Sequence, residues 1–128
     1  MADNPVVWFE IYVDDMARAQ RFYETVLGVS LSPLPMPEGD GSGLRMLAFP
    51  AGMEQPGAAG ALVRMPGVAP GGGGTLVYFG CQDCAVEAGR VQAAGGTLHR
   101  PKMSIGEYGF IALAIDTEGN MFGLHSMG

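Results

Sequence analysis

The chain reads as an α+β fold: two tandem βαβββ modules whose cupped, mostly antiparallel sheets surround a cavity. Three observations predict this. A strongly apolar strand followed by an amphipathic helix occurs twice, at 7–28 and at 75–96. Setting WFEIYVDDMARAQRFYETVLGVSL against LVYFGCQDCAVEAGRVQAAGGTLH needs no gap and aligns Asp15 with Asp83, Ala17 with Ala85 and Gly28 with Gly96. At the module ends, ALVRM (61–65) aligns with GLHSM (123–127), with Leu62 on Leu124 and Met65 on Met127. A repeated order of elements is the mark of a duplicated unit.

Residues 7–13, VWFEIYV, are β-branched and aromatic apart from Glu10, and predict a strand buried on both faces. Asp14 and Asp15 then supply a helix N-cap. Apolar residues at Met16, Ala19, Phe22, Tyr23, Val26 and Leu27 follow helical spacing until Gly28 stops the helix. Shorter strands are expected at 29–33, 44–49 and 60–65. The second module begins with a strand at 75–81, TLVYFGC, and Asp83 caps an alanine-rich helix over 84–94. Strands at 97–100, 109–115 and 121–126 follow, the last two joined by the turn DTEGN at 116–120. Gly and Pro cluster at 33–43, 50–60 and 66–74, the first two between strands of the early sheet. The third, PGVAPGGGG with its terminal four glycines, lacks the Lys-Ser/Thr of a phosphate loop and reads as a linker. One domain is therefore expected over 1–128, with module one at about 5–66, the linker at about 66–74 and module two at about 75–127.

With 128 residues, 48% hydrophobic and 16% charged, the chain is neither disordered nor fibrous. No apolar run is long enough to span a bilayer. Seven Lys and Arg against 13 Asp and Glu give a net charge of −6, a poor footing for nucleic acid or anionic membranes. The opening MADNPVVWFE has no basic n-region, so no secretory leader is expected, and two Cys form no disulfide framework. A cytoplasmic setting is the expectation.

The segments FEIYVDDMARAQRFYETVLG, AAGG at 93–96 and DTEGNMFGLHS at 116–126 make the chain resemble the vicinal oxygen chelate superfamily, in its glyoxalase-related branch. That superfamily includes glyoxalase I, bleomycin- and fosfomycin-resistance proteins and extradiol dioxygenases. The resemblance runs from about Val6 to Ser126 and implies the two-module fold, a small-molecule ligand and a homodimer. Metal-dependent members place one His or Glu ligand on the first and last strand of each module. Carried onto this sequence, those positions are Trp8, Ala61, Leu76 and Gly123, none of which ligates a metal. A shift of two residues reaches Glu10 and His125, but only Tyr78 and Val63 elsewhere. No cofactor is expected and no metal ligand is assigned, with Zn²⁺, Ni²⁺, Mn²⁺ or Fe²⁺ left open as an alternative.

Strand alternation groups Trp8, Glu10 and Tyr12 on one face, and Met121, Gly123 and His125 on another. A carboxylate amid VWF and IYV needs a partner or a proton, which makes Glu10 the first candidate for general acid–base work or for holding a cation. His125 is a candidate base or proton shuttle, although it can equally cap the last strand. Tyr12 and Tyr78 offer hydroxyls or stacking surfaces. Glu107 and Tyr108, in MSIGEYGF, are placed at the mouth of the cavity. Trp8, Glu10, Tyr12, Tyr78, Tyr108 and His125 form the expected ligand-binding set, with Glu10 and His125 as catalytic candidates. Core packing with one satisfied hydroxyl is the commoner outcome for Tyr12 and Tyr78, and Trp8 and Phe79 suit the core better than a ligand platform. His99, beside Arg100 and Lys102, fits a solvated edge, and Cys81 and Cys84 read as inert thiols. Nine Met, among them Met36, Met46, Met53, Met65, Met103 and Met121, suit an adaptable apolar pocket or an irregular core. The leading expectation is a protein that binds a small hydrophobic or planar molecule without a tightly held metal. The alternatives are an isomerase or lyase using Glu10 as base, or a metal-dependent lactoylglutathione-lyase-like enzyme.

Overall fold

Asp15 opens the first helix as its spacing predicts. Its carboxylate accepts the Arg18 N–H at 3.0 Å, and α1 (Met16–Leu27) buries Met16, Ala19, Phe22, Tyr23 and Val26. Gly28 ends it at φ 69°, in the left-handed region where only glycine is unstrained. The computed structural model describes residues 6, 8–34, 43–50, 57–72 and 74–128. Met36, Met53 and Gly73, with most of the first two Gly/Pro clusters, lie outside the described residues.

Module one consists of β1 (Trp8–Tyr12), α1, β2 (Ser32–Pro33), β3 (Arg45–Ala48) and β4 (Ala59–Arg64). Module two consists of β5 (Val77–Gly80), α2 (Cys84–Ala88), β6 (Thr97–Ser104), β7 (Phe110–Ile115) and β8 (Met121–Ser126). The sheets have equivalent orders, β1-β4-β3-β2 and β5-β8-β7-β6. In each the first and fourth strands pair parallel and the other neighbours antiparallel. The repeat extends to the register. Glu10 opposes Ala61 in module one, and Tyr78 opposes Gly123 in module two, the same two pairs that the alignment of the halves superposes.

Four expectations change. The strand at 29–33 is reduced to Ser32–Pro33. The strand at 97–100 continues through Pro101 to Ser104 as a bulged edge strand, a position where proline's missing N–H is tolerated. The helix over 84–94 is α-helical only to Ala88. Gly89 follows, and the N–H groups of Arg90 and Val91 reach back three residues, to Glu87 and Ala88, in a series of tight turns. Finally, β1 is not buried on both faces: Trp8 and Glu10 are exposed, while Ile11 is buried.

That asymmetry organises the molecule. Each sheet turns one face to the helices. There Tyr23 of α1 meets Phe49 of its own module and Phe79 and Phe122 of the other, Phe22 meets Phe122, and Phe9 joins through Phe49 and Phe79. Tyr23 sits at the hub, with ring centroids of Phe22, Phe49, Phe79 and Phe122 between 5.1 and 5.9 Å away. Such offset and edge-to-face pairs each add about 1 kcal/mol beyond area burial. One aromatic core therefore serves both modules. The opposite face of each sheet, here called the open face, carries Trp8, Glu10 and Tyr12 on β1 and Tyr78 on β5.

A polar clasp joins the modules at the β7–β8 turn. Glu118, with no exposed side-chain surface, accepts the N–H groups of Asp14 and Asp15 at 2.9 Å and a two-pronged contact from Arg18 at 2.7 and 2.9 Å. Asp116 accepts the Tyr23 hydroxyl at 2.6 Å, and the Asn120 amide donates to the Tyr12 carbonyl at 2.8 Å. Burial pushes the Tyr23 phenol well above its ordinary range, and the Asp116 charge adds to it, so the hydroxyl remains a donor. Burial also pushes Glu118 up, but bonds from Arg18, the Asp15 N–H, Thr117 and the Asp14 N–H outweigh it and hold the carboxyl at about 2.

Because that value lies below the ordinary one of 4.5, Glu118 stabilises the fold above about pH 5, and the contribution is lost as pH falls toward about 2. Allowing for screening at the half-exposed Arg18, it is on the order of 2 kcal/mol. Urea midpoints measured from pH 7 to 2 should fall through this window in the parent protein. Glu118→Gln should be less stable at pH 7 and should show a flatter slope below pH 5. Parallel curves for the two proteins would sink the assignment.

Candidate functional site

Alternation along β1 brings Trp8, Glu10 and Tyr12 onto the open face, and their side chains bond to one another. The Trp8 indole N–H donates to Glu10 Oε2 at 3.1 Å, and the Tyr12 hydroxyl donates to Glu10 Oε1 at 2.7 Å. The carboxylate is thus fixed by one donor on each oxygen, with an aromatic ring on either side of it along the strand. The hydrogen bond to Glu10, with lesser help from burial and from the Glu10 charge, raises the Tyr12 phenol above its ordinary range and keeps it a donor. The sequence predicts a buried Glu10 that needs a partner or a proton. It is exposed and has two partners.

Beside this row lies an open cleft of about 460 Å³ between the modules. Glu10, Ile11, Tyr12 and Tyr23 line one wall, and Val77, Met121 and Phe122 line the other. The linker residues Ala69 to Gly72 close one side. The Asn120 carboxamide, whose oxygen accepts the Gly71 N–H at 2.7 Å, ties that linker to β8. The volume falls within the range of small-molecule sites.

The remaining candidates are distributed differently. Tyr78 lies on the open face of β5 with 47% of its surface exposed, its ring resting on the bare backbone of Gly123, where a Cβ would collide with it. His125, half-buried on β8, points its Nε2 at the Tyr108 carbonyl oxygen, 2.7 Å away, and so carries its proton on that nitrogen. Tyr108 and Glu107 sit in a single 3₁₀ turn (Gly106–Tyr108), both well exposed, and neither lines the cleft. The register separates Glu10 from His125. The repeat equivalent of Glu10 is Tyr78, and His125 opposes Gly80, the next open-face pair along. No hydrogen bond joins the two among the described residues. His99 is exposed on β6, as its neighbours predict. Cys84 is fully buried, and Cys81 is pushed up to about 12 by burial, with the Glu87 charge adding to it, so Cys81 remains a thiol.

The facing pairs Glu10/Ala61 and Tyr78/Gly123 combine two of the metal positions that the resemblance implies, Ala61 and Gly123, with the shifted ones at Glu10 and Tyr78. They supply one carboxylate, one phenol, one methyl and one hydrogen. Among the described residues no three His, Cys, Asp or Glu gather to hold a metal ion. A divalent ion of the kind that His and Glu ligands bind does not fit this donor set.

Sequence reasoning identified the β1 row but not its bonding, and it missed Asp116, Glu118, Asn120 and Tyr23 as the groups that set the cleft's walls. The signal was present in DTEGN, which carries two carboxylates where a hairpin turn requires neither.

Residues 6–39 match the family model described as bleomycin resistance protein-like N-terminal. No curated protein matches the chain in sequence. Among solved structures, glyoxalase I from Zea mays is 23% identical with a TM-score of 0.73, covering 94% of this chain and 44% of its own. The chain thus spans less than half of that relative's length. TnmS3, an antibiotic binding protein from Streptomyces sp. CB03234, is 28% identical with a TM-score of 0.65, over 100% of this chain and 99% of its own. A member of the glyoxalase/bleomycin resistance protein/dioxygenase superfamily from Sphaerobacter thermophilus is 22% identical with a TM-score of 0.70, over 96% and 97% of the two chains.

Because the Tyr78 ring occupies the space above Gly123, Gly123→Val should cost about 1–3 kcal/mol of stability by overpacking. Tyr78→Ala made in the same chain should recover most of that loss in urea unfolding. Strict additivity of the two changes would show that they do not share the space.

Proposed function

We propose that this chain, a glyoxalase-related protein of the vicinal oxygen chelate superfamily, binds a small flat hydrophobic molecule against the Trp8–Glu10–Tyr12 row, without a tightly held metal ion. The observation that carries this reading is the row itself. Two aromatic rings are held in place by a shared carboxylate, beside a cleft whose walls are mainly apolar. Rigid aromatic surface presented in advance lowers the ordering cost of binding. The likeness to TnmS3, at 28% identity over the whole chain, supports ligand capture. The likeness to maize glyoxalase I supports the fold. A Glu10 general base would have to act without His125, which makes no hydrogen bond to it among the described residues and bonds the Tyr108 carbonyl instead.

The protein acts as a homodimer in this reading. Trp8, Leu76, Tyr78 and Met103 are large apolar groups left exposed, and a second copy would cover part of that surface. Two unpaired thiols suit a reducing, cytoplasmic setting.

Trp8 is the only tryptophan in the chain, so its emission reports on this face alone. Titration with 1,4-dihydroxyanthraquinone should quench it to saturation at one probe per chain. Tyr12→Ala, which removes one ring and one donor, should weaken binding about tenfold. Calorimetry with Ni²⁺, Zn²⁺, Mn²⁺ and Fe²⁺ should show no tight site. One tightly bound ion per chain, or quenching that never saturates, would overturn the reading.

A further inference from the structure

Among the described residues the charge on Glu10 has no counterpart. On the strands of the first sheet the open face carries Trp8, Glu10, Tyr12, Ser32, Met46, Ala48, Ala59, Ala61 and Val63, so Glu10 is the charged group among them. All seven Lys and Arg lie within the described residues. Arg18 is committed to Glu118 and Lys102 to Asp83, and these are the ion pairs among those residues. Arg64 donates to the Asp14 carbonyl and Arg90 to the Val26 carbonyl. Arg21, Arg45 and Arg100 are exposed and make no ion pair with Glu10. The two groups that do bond Glu10, the Trp8 indole and the Tyr12 phenol, are neutral donors. They orient the carboxylate and leave its charge in place, with one lone pair on each oxygen still open.

An oriented carboxylate flanked by a Trp and a Tyr ring combines the two attractions that an organic ammonium finds in proteins, charge pairing and the negative face of an aromatic ring. A flat neutral molecule would gain from the rings alone and would leave the carboxylate facing apolar surface, at a desolvation cost. We propose that the open face selects ligands that join a flat ring to a protonated or quaternary amine, with the cationic nitrogen on Glu10 and the ring against its aromatic neighbours. This rests on the binding reading above and adds the charge class of the ligand.

A matched pair of probes tests it. Calorimetry at about pH 7.5 and low salt compares N-methylquinolinium, a permanent cation, with quinoline, which is neutral there and has nearly the same shape. The cation should bind about tenfold more tightly, the combined effect of an exposed charge pair and a cation–ring contact. Glu10→Gln should bring the two affinities to within about twofold. Trp8→Phe and Tyr12→Phe each keep a ring but remove one orienting donor, and should reduce the preference without abolishing it. Glu10 is exposed, and equal thermal midpoints for parent and Glu10→Gln would show that the fold is intact.

Equal affinities for the two probes in the parent protein would overturn the cation inference and leave the binding reading standing. A preference that survives Glu10→Gln would mean that the overall charge of −6 attracts the cation, which also overturns it. Binding of neither probe would overturn both.

Discussion

The arrangement of this protein hangs on one buried carboxylate. Glu118 belongs to the turn between β7 and β8, yet its partners are the first backbone N–H groups before α1 and the Arg18 guanidinium, about a hundred residues earlier in the chain. A negative charge at a helix N-terminus is favoured by the unsatisfied N–H groups and the helix dipole there. Here a second such charge, beside that of the Asp15 cap, comes from the other module, so steadying the start of α1 and docking module two are the same event. Asp116 on Tyr23 and Asn120 on the Tyr12 carbonyl extend the joint from the helix to the outer edge of β1. The cleft exists because those contacts fix the distance between β1 and the start of β8.

The joint also explains how a polar, exposed row can be rigid. The Tyr12 backbone is held by Asn120 on one side and by the β4 ladder on the other. Its side chain then holds Glu10, which in turn holds Trp8. Behind the strand, Phe9 and Ile11 lock into the shared aromatic core. An exposed ring usually samples several rotamers, and each bond in this chain of contacts removes some of that freedom before any ligand arrives.

Much of this was legible in the sequence because it is repeated. Two copies of strand, cap and helix gave the modules, and the gapless alignment gave the register, so Tyr78 and Glu10 occupy equivalent rungs as their spacing implies. The second helix was overread because its alanines favour helix while Gly89, in the middle, does not. The burial of β1 was misjudged for a different reason. An unbroken run of aromatic and β-branched residues looks the same whether its second face meets a protein core or awaits a ligand. The clasp was invisible as a contact because its partners lie far apart in the chain, and residue types alone do not reveal a long-range pairing. Tyr108 and His125 shared a reading as site residues from their proximity to the last strands, and they do meet, but through a carbonyl oxygen rather than across the cleft.

The seating of Tyr78 on Gly123 bears on how the two halves can have diverged. In module one the aromatic-on-glycine pair is Phe9 over Gly60, on the helix side; in module two it is one rung along, and therefore on the opposite side of the sheet. Any side chain placed at Gly123 would meet a space that the Tyr78 ring already fills, so a change at that position is tied to a change at Tyr78. The two halves can therefore drift apart at this rung only by paired substitutions.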